Sequence, residues 1–178
     1  MRRTKTSQLT ICALLISMAL VLSYMERFIP LQMLIPLPGI KLGLANIVTV
    51  MALYFFGEKH AFTILVLRCF LGSVFGGGIS GLAFSMTGGL LAMTTMSLVR
   101  RIGIFSVYGV SVLGAAAHNI GQIIVAVLLM NSIYVAGYLP YLLGVSIFTG
   151  LSTGAACAGV FRALRASGQV PENIKNDA

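Results

Sequence analysis

At 178 residues, with 58% apolar side chains, 9% charged ones and a mean hydropathy of +0.98, the chain carries more apolar surface than a soluble domain of this size can bury. Its net charge of +8 arises from twelve Lys and Arg against four acidic residues. Those cations are spread between apolar runs instead of being massed on one segment, which excludes a nucleic-acid-binding stripe and makes membrane topology their explanation.

The N-terminal Arg2, Arg3 and Lys5 precede an apolar run over about 8–25, a pattern like the charged start of a signal peptide. Since no soluble domain follows, the run is expected to be kept as a first membrane span. Five further runs fall at about 42–56, 61–75, 79–98, 106–130 and 140–161. A hydrocarbon core about 30 Å thick takes roughly 20 apolar residues per helix, and none of the runs shows the period-2 alternation of a membrane barrel. The expected fold is therefore all-α: a single six-transmembrane-helix bundle over 1–166, followed by a polar, frayed tail at 167–178.

Lys and Arg in the connections orient the bundle. With the N-terminus in the cytoplasm, Arg2, Arg3, Lys5, Lys59, Arg100, Arg101, Arg162, Arg165 and Lys175 fall inside, and Arg27 and Lys41 outside. Both termini are therefore expected in the cytoplasm of a bacterial cell. The outer connections are the elaborate ones: a long link holding Pro30, Pro36 and Pro38, a Gly76-Gly77-Gly78 turn, and a loop over 131–138. They suggest a site facing that side.

In the first run, Ala13 and Ser17 are four apart, with Ala19 nearby. Such small residues let helix backbones approach closely, within one bundle or against another membrane protein. Gly72 and Gly76, Gly77 and Gly81, and Gly150, Gly154 and Ala158 repeat the spacing.

The polar residues within the apolar runs are the candidate site. Lys41 stands just before the second run, between Gly39 and Gly43, where the first turns of a helix direct unpaired N–H groups outward; it is either part of an anion seat or an interfacial anchor. Asn46 follows about one turn into that run. Arg68 lies mid-span with no acidic residue beside it, so it meets an anion, water or backbone carbonyls, or it snorkels. In the fifth run His118 and Gln122 share a helix face and Asn119 sits one step around it, forming either a ligand-binding patch or bridges between helices. Tyr134, Tyr138 and Tyr141 surround the last outer loop, as an aromatic belt or as a lid over a planar ligand.

Several chemistries are missing. The single aspartate, Asp177, cannot build the aspartate-rich clusters that hold magnesium against a diphosphate. There is no phosphate-binding GxxxxGK[ST] loop. Cys12, Cys69 and Cys157 each stand alone and only two histidines exist, so no disulfide, metal or other cofactor is expected. Catalysis by this chain alone is not expected either.

The stretches PLPGIKLGLANIVTVMALY at 36–54, FSMTGGLLAM at 84–93 and AAHNIGQIIVAVLL at 116–129 resemble the bacterial Gx transporter family, also labelled heptaprenyl diphosphate synthase component I. In architecture that family is similar to the substrate-binding S components of energy-coupling-factor importers. This second likeness implies an outward-facing pocket for a small solute and docking, through Ala13 and Ser17, onto a transmembrane coupling protein driven by separate ATPases. The synthase label implies instead a membrane partner of a soluble polyprenyl synthase. A third implication is a membrane subunit of flavin- or quinone-linked electron transfer. Under all three, Lys41 and Arg68 neutralise an anion, Asn46, His118, Asn119 and Gln122 supply hydrogen bonds, and Tyr134 and Tyr138 cover the mouth.

Overall fold

The computed structural model describes residues 5–28 and 43–167. Among the described residues, six α-helices make up the bundle: α1 (Lys5–Met25), α2 (Asn46–Phe56), α3 (Glu58–Gly72), α4 (Gly78–Ile102), α5 (Val107–Met130) and α6 (Leu139–Ala166). Their boundaries follow the expected runs to within a few residues, except that α2 starts four residues later than its run, making Asn46 its first residue.

Residues that tolerate a positive φ mark the reversals. Gly57, at φ 78°, ends α2 and donates its N–H to Leu53 O; α3 starts at the next residue. Gly76, at φ 112°, breaks the helix between α3 and α4. Both angles lie in the left-handed region, which costs other residues about 1–2 kcal/mol. Gly103 (φ 74°) closes α4, and Asn131 (φ 48°), the residue type that best tolerates this region after glycine, closes α5.

Contacts around each reversal give antiparallel hairpins. Across α2–α3, Arg68 meets Asn46. Across α3–α4, Cys69 Sγ reaches Ser85 O, Leu65 packs at Gly89, and Glu58 meets Ser97. In α4–α5, His118 and Gly121 lie on Gly88, and Gly114 on Met96; in α5–α6, Gly150 abuts Val112 and Gly154 abuts Tyr108. The strict up-and-down course gathers Glu58, Arg100, Arg101, Arg162 and Arg165 at one end, here called the basic end, and the Gly43 turn, the Gly76 break and Asn131 at the other.

Small residues set the closest approaches. A Cβ on Gly121 would lie 2.7 Å from Gly88 Cα, and one on Gly150 would lie 2.4 Å from Val112 Cα. Gly150 and Gly154 are thus packing residues inside the bundle. Ala13 and Ser17, by contrast, are exposed on α1, where the Ser17 hydroxyl donates to Ala13 O at 3.0 Å.

Helices α4, α5 and α6 contain 25, 24 and 28 residues, about 36–42 Å at 1.5 Å per residue. Among the described residues, three helical stretches are long and apolar enough to cross a membrane: 58–102, which is the α3–α4 hairpin, Val107–Met130 and 133–166. Helix α2, with 11 residues, rises only about 17 Å. Its core-facing residues Val48, Val50, Ala52, Leu53 and Tyr54 are nearly inaccessible, so it is wrapped by its neighbours.

Candidate functional site

The site is built where the chain enters α2. Gly43 adopts φ 83°, and a tight turn follows in which Asn46 N donates to Gly43 O (2.8 Å) and Ile47 N to Leu44 O (3.0 Å). The turn lies directly on two of the predicted site residues. A Cβ on Gly43 would fall 2.9 Å from Asn46 Nδ2 and 3.2 Å from His118 Cδ2, so the amide and the imidazole converge on one point.

Two hydrogen-bonded pairs extend from that point. On one side Arg68 Nη2 donates to Asn46 Oδ1 at 3.0 Å. On the other, Gln122 Nε2 stands 2.9 Å from His118 Nε2, one turn along α5. With the amide donating, the ring accepts at Nε2 and carries its proton on Nδ1, the edge that faces Gly88. Only a glycine fits at that position, because a Cβ on Gly88 would lie 2.8 Å from His118 Nδ1.

Arg68 is 7% exposed, which rules out snorkelling to the bilayer surface. Among the described residues it has no ion pair: the contact it makes is to a neutral amide, and its Nε has no hydrogen-bond partner. Such a charge is costly to bury until a counter-charge reaches it. Thr49 Oγ1 on α2 and Ser111 Oγ on α5 are likewise buried without a partner. Ser111 lies seven residues before His118 and eleven before Gln122, on the same face of α5.

The remaining expectations divide. Asn119 is buried but turned toward α6, where its Nδ2 donates to Leu142 O at 2.9 Å; it pins two helices together instead of joining the His118 pair. Tyr134 is 89% exposed, and Tyr138 is exposed as well. Lys41 lies outside the described residues.

Glu26 is the residue that sequence reasoning missed. It is buried at the end of α1, and its Oε1 accepts a hydrogen bond from Leu44 N in the opening turn of α2. The chain's own carboxylate therefore takes one of the N–H groups expected to face an anion. Eighteen residues separate the two, and a lone acid at the end of an apolar run reads as an interfacial residue; nothing in the spacing announces the contact.

Apolar helices of membrane-crossing length, a bundle of up-and-down hairpins and a charged group sealed among them define a helical membrane protein. The profile of heptaprenyl diphosphate synthase component I matches residues 15–160, and the chain belongs to that family. No curated protein and no solved structure matches it.

Proposed function

We propose that this protein is a non-catalytic membrane subunit that captures a small anionic molecule and works with separate partner proteins. In this reading all six helices are membrane-embedded in an arrangement like that of energy-coupling-factor S components. Both termini lie in the cytoplasm of a bacterial cell, and the Asn46–Arg68 and His118–Gln122 pairs face the outer side. The observation that carries the proposal is the buried guanidinium of Arg68, held by an amide and, among the described residues, without an ion pair. An anionic guest would supply the missing charge, with Asn46, His118 and Gln122 giving direction to the contact.

The proposed transport energy comes from a coupling protein and ATPases. Helix α1 supports this docking: its exposed Ala13–Ser17 face is narrow and presents no unsatisfied hydroxyl, since Ser17 is bonded to Ala13 O. The family description favours a second arrangement, in which the chain holds an isoprenoid diphosphate beside a soluble polyprenyl synthase. A diphosphate is also an anion and would use the same seat.

Native mass spectrometry of the purified protein tests the shared claim. An anionic small molecule should accompany the wild-type chain and be lost from Arg68→Gln. Recovery of the same molecule from both, or of an uncharged one, sinks the assignment. Affinity purification then separates the partners: a coupling protein with ATPases supports import, and a prenyltransferase supports the synthase arrangement. Flavin absorbance or quinone turnover would point to electron transfer instead.

A further inference from the structure

The opening turn of α2 cannot close itself. Gly43, Leu44 and Ala45 carry no side-chain acceptor, and Ala45, at the cap position, makes no side-chain hydrogen bond to the helix. Backbone carbonyls serve two N–H groups of the turn: Gly43 O takes Asn46 N, and Leu44 O takes Ile47 N. The N–H of Leu44 is taken by Glu26, from the end of another helix. A carboxylate suits that place, because the N–H groups at the start of a helix form its positive end.

Glu26 follows a stretch of α1 that faces outward. Leu15 and Ala19 are buried, but Tyr24 and Met25 are each 56% exposed. A groove of about 330 Å³, lined by Leu20, Val21, Ser23, Tyr24, Gly72 and Phe75, runs between the last turns of α1 and the end of α3. Glu26, 5% exposed, turns back inward. From there the path to the site is short: the Leu44 turn carries Gly43, on which His118 packs, and Asn46, whose Oδ1 accepts from Arg68 Nη2 at 3.0 Å. A Cβ on Gly72, one turn past Arg68, would lie 3.7 Å from Leu20 Cδ2 on α1. The end of α1 therefore touches both elements that hold the guanidinium.

We infer that Glu26 is a positioning residue: it clasps the end of α1 to the first turn of α2, and thereby sets the Asn46–Arg68 pair and keeps the guanidinium enclosed. On the reading of Arg68 as an anion seat proposed above, a bound anion holds α1 in place in turn, and whatever draws α1 away weakens that anion by the same factor.

Two measurements on the full chain in detergent micelles test the clasp without any bound molecule: peptide-resolved hydrogen–deuterium exchange, and labelling of arginines by phenylglyoxal. Loss of the acceptor in Glu26→Ala should speed exchange at 20–26 and 43–47 about tenfold and leave α4 and α5 unchanged. Arg68 should be labelled about fivefold faster than in wild type, with exposed Arg101 in the same digest as the reference. Reach separates the clasp from a general need for charge. Glu26→Asp keeps a carboxylate but holds it one methylene short, and should behave as Glu26→Ala does. Glu26→Gln keeps both the reach and an acceptor oxygen, and should stay within about twofold of wild type. These two variants decide the matter where Glu26→Ala does not fold. Faster exchange at 43–47 without faster labelling of Arg68, unchanged exchange in Glu26→Ala or Glu26→Asp, or equal opening in Glu26→Asp and Glu26→Gln overturns the inference. The anion seat fails separately: if Arg68→Gln retains the anion that accompanies wild type, the seat is lost while the Glu26 results stand.

Discussion

Arg68 Nη2 donates to Asn46 Oδ1 at 3.0 Å across the α2–α3 hairpin, so a permanent charge within the bundle rests on a neutral amide. Replacing that amide by a carboxylate separates stability from function. Asn46→Asp provides Arg68 with an internal counter-charge and should stabilise the protein by about 1–3 kcal/mol, read as a higher unfolding temperature in detergent. The same substitution fills the anion seat and should weaken capture of the copurifying molecule at least tenfold. A variant that is more stable and still binds as well as wild type would show that Arg68 does not face the ligand.

Glycine substitutions test the packing directly. Gly121→Ala places a methyl group 2.7 Å from Gly88 Cα and 2.9 Å from Thr87 O, backbone atoms that cannot move aside. Separation of α4 from α5 should cost about 1–3 kcal/mol and displace His118, lowering ligand retention as well. Gly159, mid-way along the end of α6, has nothing within reach of an added Cβ. Gly159→Ala should be neutral or stabilising by up to about 1 kcal/mol, and thermal unfolding of the two variants side by side checks both.

Much of this arrangement was legible in the sequence because burial in a membrane protein demands long apolar runs, and polar residues that interrupt them stand out. Arg68, His118 and Gln122 could be picked out for that reason. What the sequence left open was direction. Asn119 and His118 are adjacent, yet a step of about 100° sends one to α6 and the other to Gly88. The Glu26 contact with Leu44 depends on how the intervening link closes, a long-range property without a local signature. The role of Gly88 as the floor under an imidazole appears once α4 and α5 are packed.

At the basic end, Arg101 and Ser97 hydrogen-bond to Glu58, and these contacts hold its carboxyl down from its ordinary 4.5 to about 2. Glu58 stands at the Gly57 turn, outside the apolar run of α3. A carboxylate whose folded pKa is depressed contributes stability that is full above about 4.5 and fades as the pH falls toward 2. Unfolding temperature should accordingly show no pH dependence from this pair between pH 7 and 5, where its contribution is full, and decline below that window. Glu58→Gln should flatten that part of the decline. Since both side chains are well exposed, added salt should shrink the effect.

The exposure of Tyr134 gives a direct test of what covers the site. With its ring 89% accessible, Tyr134→Ala should leave ligand retention within about twofold of wild type, as expected for a residue of the membrane interface. His118→Ala removes the ring that meets Gly43, Gly88 and Gln122, and retention should fall at least tenfold. Equal losses in the two variants would mean that the loop over 131–138 closes onto the ligand when it binds.

Topology can be read from α5, whose two ends lie at opposite ends of the bundle. Ser132 follows the Asn131 cap at one end, and Ile104, 81% exposed, precedes α5 at the other. Native Cys69 and Cys157 are buried, and replacing half-buried Cys12 by Ala removes the most accessible native thiol. In that background, Ser132→Cys should react with a membrane-impermeant maleimide on intact cells. Ile104→Cys should react only after the cells are opened. The reverse pattern would invert the orientation, turn the Asn46–Arg68 pair toward the cytoplasm, and remove uptake from outside as its role.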